Sequence, residues 1–138
     1  MQKRKIIIDT NLWISLLIGK RLSELRFLCN EETITVYICA ELKAEFIRIA
    51  SSEKIKKYAT EERIAKTLEL MDSSCVEIPL TDIAVSSYLR DIDDLYLLSL
   101  ADSVQADYIL TGDKDLLILQ SHNRTKIVTY NEFVAIGK

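Results

Sequence analysis

Apolar residues recur along this chain in two rhythms. Short apolar runs at Lys5–Ile8, Ile34–Ile38, Cys75–Ile78, Tyr108–Leu110 and Lys126–Thr129 read as buried strands, the third of them closed by Pro79. The stretches between them repeat at helical spacing. Thr10–Ile18 is a helix capped by Thr10 or Asp9 and stopped by Gly19. Leu22–Cys29 forms a second. Ala40–Ala50 places Leu42, Phe46 and Ile49 on one face. Thr60 caps a helix with Glu61 and Glu62 in its first turn and Ile64, Leu68 and Met71 as its apolar stripe. Ile83–Leu89 reads as a short helix. Asp93 or Asp94 caps a longer one that runs to Ala106, with Leu97, Leu100, Ala101 and Val104 inward. Thr111-Gly112-Asp113 is a turn, Leu116–Leu119 starts a short helix, and Asn131–Ile136 closes the chain. Strands separated by helices predict an α/β fold: a central five-stranded parallel sheet between two helical layers, with right-handed crossovers.

The 138 residues fit one domain, read here as 1–138, and are enough for a hydrophobic core. Three Gly and one Pro argue for long regular elements and against a loop-rich β-sandwich. Cys29, Cys39 and Cys75 are odd in number and widely spaced, and only one His is present, so a Cys/His zinc site is excluded. Cys39 and Cys75 read as small buried hydrophobes in a reducing compartment. The opening Met-Gln-Lys-Arg-Lys resembles the start of a secretion signal, but Asp9-Thr10-Asn11 interrupts the apolar stretch after it. No apolar run approaches the ~18–20 residues that span a bilayer. The expectation is a cytoplasmic protein. The net charge of −3 lacks the basic balance of a nucleic-acid binder, so any contact with RNA must be local or mediated by a metal ion.

The acids carry the chemistry. In open α/β sheets ligands bind beyond the carboxyl ends of the strands. Asp9 ends the first strand and Asp113 lies in the turn after the fourth, so both belong to that edge. Glu45 is three residues after Leu42 and four before Ile49, on the buried face of its helix, where a carboxylate is costly unless paired or metal-bound. An edge-of-face Glu reaching water is the alternative. Asp91, Asp93 and Asp94 precede the long fourth helix. One acid suffices as a cap, and Asp94, one turn before Leu97 and Leu98, is the one aimed inward. Two carboxylates about 4 Å apart repel by roughly 4 kcal/mol at an effective dielectric near 20. A divalent cation turns that repulsion into binding. All-oxygen ligands suit Mg2+ or Mn2+, which can serve phosphodiester hydrolysis.

Four stretches together resemble a known family. Ile6-Ile7-Ile8-Asp9-Thr10-Asn11-Leu12-Trp13-Ile14-Ser15 resembles the opening signature of PIN-domain nucleases. Glu45 in Ala40-Glu41-Leu42-Lys43-Ala44-Glu45-Phe46 matches the second acid of that family, and Asp94 in Arg90-Asp91-Ile92-Asp93-Asp94 the third. Ala106-Asp107-Tyr108-Ile109-Leu110-Thr111-Gly112-Asp113-Lys114-Asp115-Leu116 resembles the fourth block and is the most specific stretch. The resemblance covers almost the whole chain and is nearest to VapC-like toxins of bacterial and archaeal toxin–antitoxin pairs. It implies a Rossmann-like α/β/α sandwich, Mg2+ or Mn2+, cleavage of single-stranded RNA, homodimers, and a small antitoxin partner. It makes Asp9, Glu45, Asp94 and Asp113 the catalytic acids, with Asp9, Asp94 and Asp113 on the metal. Thr10, Asn11, Ser15 and Thr111 match polar positions that orient them. Asp115 is a helper, since relatives differ in which acid after the fourth strand reaches the metal. Ile92 stands where a Pro is common, a departure that touches a loop and no acid.

Rival readings are separable. A haloacid-dehalogenase-like phosphatase needs a second acid two positions after the first, and Asn11 is there instead. A receiver domain wants an acid pair near the first strand and a Lys after the last, and neither is clear. A PIN fold used only to bind RNA or protein usually loses acids; here all four are present. Asp102 reads as a solvated helix position, Asp107 as a cap before the fourth strand, and His122 as a surface loop residue. Lys54, Lys56 and Lys57 with Tyr58 read as a solvated lysine-rich face ahead of the alternative, a local RNA footprint.

Overall fold

The computed structural model describes residues 3–80 and 92–136, without the side chains of residues 92–95. The helix expected over Ile83–Leu89, and Asp91, lie outside the described residues. Six strands form one sheet in the order β3-β2-β1-β4-β6-β5: β1 Arg4–Ile8, β2 Ile34–Ile38, β3 Val76–Glu77, β4 Tyr108–Leu110, β5 Ser121–His122 and β6 Thr125–Val128. Every pairing is parallel except β5 with β6. The five expected parallel strands are thus present, and the sixth is a two-residue antiparallel edge. Ser121 and His122 carry no apolar alternation, so periodicity had nothing to detect there. Asn123, at φ 54°, takes the left-handed conformation that turns this hairpin.

The helices are α1 Thr10–Ile18, α2 Leu22–Asn30, α3 Ala40–Ala50, α4 Glu53–Lys56, α5 Glu61–Ser74, α6 Ile92–Val104, α7 Lys114–Leu117 and α8 Tyr130–Ile136. Strand order grows in one direction from β1 to β3 and in the other from β1 through β4 to β6. Right-handed crossovers therefore put the helices of the two halves on opposite faces, giving the three layers. Ile6, Ile7, Ile8, Val36, Ile109 and Leu110 are fully buried between them, which is why β1 reads as an unbroken apolar run.

α1 stops at Gly19 as expected, but the left-handed turn falls one residue later: Gly19 has φ −76° and Lys20 has φ 57°. The Arg21 N–H then closes on the Leu16 carbonyl. A Cβ at Gly19 would meet the Ser15 carbonyl oxygen at 3.2 Å, so the glycine serves close approach and not handedness. α6 is described from Ile92, so Asp93 and Asp94 lie within the helix and not at its cap. Cys39 is buried as expected, whereas Cys75 is only half-buried, with its Sγ 3.7 Å from that of Cys29.

Candidate active site

β1 and β4 are neighbours at the point where strand order reverses, and folds of this kind bind ligands beyond the carboxyl ends of such strands. Asp9 follows β1 directly, with its N–H bound to the Leu110 carbonyl of β4 at 2.9 Å. It occupies the N-cap position of α1, yet its side chain makes no capping hydrogen bond. The carboxylate points elsewhere. Asp9 is 3% exposed, and the Thr111 hydroxyl donates to its Oδ2 at 2.7 Å. Burial raises the Asp9 pKa above the ordinary carboxylate value; the Thr111 hydroxyl and the Asn11 amide oppose this, and the negative charges of Glu45 and Asp113 push it further up. Glu45 and Asp113 are therefore electrostatic neighbours of Asp9.

Thr111 joins two of these acids. Its Oγ1 also accepts the Asp113 N–H at 3.0 Å. Asp113 in turn caps α7, its Oδ1 accepting the Asp115 N–H at 2.9 Å. The turn holding Asp113 is thus fixed from both sides, by Thr111 behind it and by the first turn of α7 ahead. Among the described residues, Thr111 and Asp113 aside, no atom lies within 4 Å of where a Gly112 Cβ would stand.

Tyr96 of α6 ties in the third acid. Its hydroxyl donates to Glu45 Oε1 at 3.0 Å and lies 3.0 Å from Thr10 Oγ1. Burial raises the pKa of this phenol, Glu45 and Asp9 add to the rise, and a Thr10 hydrogen bond only partly offsets it. Tyr96 therefore stays protonated and remains a donor to Glu45. Sequence reasoning passed over this residue. The available signal was a hydroxyl-bearing aromatic four residues before Leu100 on an inward face, because a buried tyrosine hydroxyl seeks a partner.

Of the expected site residues, Asp9, Thr10, Thr111, Asp113 and Glu45 come together through these bonds. Glu45 is half-buried on α3, consistent with both its apolar-face position and its partner. Asn11 is exposed and bears on Asp9 only through its backbone N–H; Asp115 is exposed and contributes its N–H to Asp113. Ser15 is exposed on α1. The Asp94 side chain lies outside the described residues. Asp107 receives the Lys5 N–H and the Arg124 guanidinium, and Asp102 receives His122 and Asn123, so both acids serve the sheet's other end and its edge hairpin.

The donor set is all oxygen. Among the described residues no three His, Cys, Asp or Glu side chains come close enough to enclose an ion alone. A buried Asp9 carboxylate repelled by the half-buried Glu45 and Asp113 nevertheless fits a hard divalent cation, which would relieve both the desolvation and the repulsion at Asp9.

An open three-layer α/β fold with carboxylates gathered at its switch point defines the class of protein. The PIN domain family profile matches residues 5–115. The chain belongs to the PIN domain family. It is 36% identical to an uncharacterized protein of Methanocaldococcus jannaschii, over 96% of this chain and 90% of that one. Its fold is similar to a chain in the crystal structure of VapBC2 from Rickettsia felis bound to a DNA fragment from their promoter. The two share 16% identity over 89% of this chain and 96% of that one, with a TM-score of 0.57.

Proposed function

We propose that this chain is a Mg2+- or Mn2+-dependent endoribonuclease that hydrolyses phosphodiester bonds of single-stranded RNA, and that it is the toxin of a toxin–antitoxin pair. The observation that carries the reading is the Asp9 carboxylate: buried at a switch point, oriented by Thr111, and pressed by two further acids. Asp9, Asp94 and Asp113 are the proposed metal holders, with Glu45 the fourth catalytic acid. A bound divalent cation supplies Lewis acidity toward the phosphodiester and acidifies a water. The chain's own residues supply orientation. Thr111 fixes the Asp9 carboxylate and the Asp113 backbone together. Tyr96 holds Glu45 against rotation away from Asp9.

Family membership supports nuclease chemistry, and the likeness to VapBC2 supports a small antitoxin partner. The same reading takes residues 1–138 as one domain, the active form as a homodimer and the compartment as the cytoplasm. Among the described residues no helix is long and apolar enough to cross a membrane.

The test uses a labelled single-stranded RNA with purified protein in Mn2+, Mg2+ or EDTA. Cleavage should need the metal, stop in chelator, and fall at least about a hundredfold in Asp9→Asn, as expected where acids act as one unit. Undiminished cutting in EDTA or by Asp9→Asn would refute the mechanism. Metal-independent RNA binding without cutting would put the binding-module reading in its place.

A further inference from the structure

A second charged feature lies away from the acids. Lys20, Lys56, Lys57 and Arg63 line one open cavity of about 360 Å3 together with the Tyr58 ring, which is 57% exposed. Among the described residues, none that line it is acidic, and none of these four cations is in an ion pair. The chain as a whole carries a net charge of −3, so this concentration of positive charge runs against the overall balance.

The cavity is assembled from segments far apart in sequence. Lys20 sits in the left-handed turn after α1, whereas Lys56, Lys57 and Tyr58 come from the end of α4 and the link to α5. Arg63 clamps the two together: its Nη1 donates to the Leu17 carbonyl at 3.3 Å and its Nη2 to the Tyr58 carbonyl at 3.0 Å. The cations are therefore held on one surface by a buttress within the fold. Stacking platforms beside positive charge are how proteins bind single-stranded nucleic acid without reading its sequence: phosphates meet the cations and a base lies on the aromatic face. The cavity stands at the opposite end of α1 from Asp9. Nine helical residues separate them, about 14 Å along the axis at 1.5 Å per residue.

We propose that the Lys20/Lys56/Lys57/Arg63 cavity, with Tyr58 as its stacking platform, binds the phosphate backbone of single-stranded RNA to one side of the cleavage point. The assignment rests on the ribonuclease reading for the identity of the strand. An acidic polypeptide is the competing occupant; it would use the same charges and gain nothing from an exposed ring.

The test measures binding of a fluorescent single-stranded RNA dodecamer by anisotropy in EDTA, so that it does not depend on cleavage. Lys56→Glu/Lys57→Glu should weaken binding at least about tenfold near 50 mM salt and reduce the slope of log affinity against log salt by about 1.4, near 0.7 for each phosphate left without its cation. Tyr58→Ala should weaken RNA binding severalfold with the salt slope unchanged. Lys3→Glu/Lys126→Glu, with the same change in net charge, should keep the wild-type slope. Thermal melts confirm folding of each variant. Wild-type affinity retained by Lys56→Glu/Lys57→Glu, an equal loss in both charge-reversed proteins, or wild-type preference for polyglutamate over RNA would overturn the proposal. Should the protein bind RNA through this surface yet never cut it, the binding site stands and the nuclease reading alone falls.

Discussion

Thr111 donates its hydroxyl to Asp9 Oδ2 at 2.7 Å across 102 positions of sequence, joining the turn after β4 to the end of β1. The same oxygen accepts the Asp113 N–H, so one side chain serves two acids. Thr111→Val keeps the shape and removes both bonds. A hydrogen bond to a charged group contributes about 1.5–3 kcal/mol, and this one is buried. Urea unfolding should show a loss of about 2 kcal/mol, and cleavage should fall with it at saturating metal. Stability equal to wild type would mean that Asp9 finds another donor.

The Asp9 pKa is raised, chiefly by burial. The folded protein then holds the Asp9 proton more tightly than the unfolded chain does, so ionisation opposes folding. The stability tied to the protonated form is complete below the ordinary value of 3.8 and is lost as pH rises through the higher folded value. At neutral pH without metal, Asp9→Asn should therefore melt above wild type, and the gap should close as pH falls into the acid range. Added Mn2+ should raise the wild-type melting temperature and do little for the variant. A variant that melts below wild type at neutral pH would show that the Asp9 charge is already compensated within the chain.

Tyr96→Phe isolates the hydroxyl shared by Glu45 and Thr10. The ring's packing stays, and half-buried Glu45 can turn to water, so the stability cost should be modest, about 1 kcal/mol. Activity should fall further than stability, because Glu45 loses its fixed orientation. The discriminating measurement is the kcat-against-KM split: a positioning role lowers kcat, with KM little changed. An unchanged kcat would reduce Tyr96 to a packing residue.

How much of this was legible in the sequence follows from the range of each signal. The β1 run, the α3 stripe and the Thr111-Gly112-Asp113 turn are local patterns, and the structure repeats them with boundaries moved by a residue or two. Asp9, Glu45 and Asp113 were visible because an acid at a strand end or on an apolar face violates a local rule. Tyr96 was not, since its partners Thr10 and Glu45 lie 86 and 51 residues away and no local rule is broken. Asp102 and His122 were read separately as solvated positions, yet they pair at 3.0 Å between α6 and a hairpin too short to announce itself. Lys54, Lys56, Lys57 and Tyr58 read first as a solvated face, because the sequence does not show that Lys20 and Arg63 meet part of that run from other segments.

The sheet's two borders, β3 and β5, are each two residues long, and β3 is followed by Ile78 and then Pro79, which has no N–H to offer. Border strands this short present almost no ladder for a foreign strand to copy. Among the described residues the long apolar strands β1 and β2 are interior, shielded from template-driven fibril growth. Among the described residues the sheet therefore offers copies of this chain little for strand-to-strand accretion, which leaves the helical faces as the larger surfaces for association.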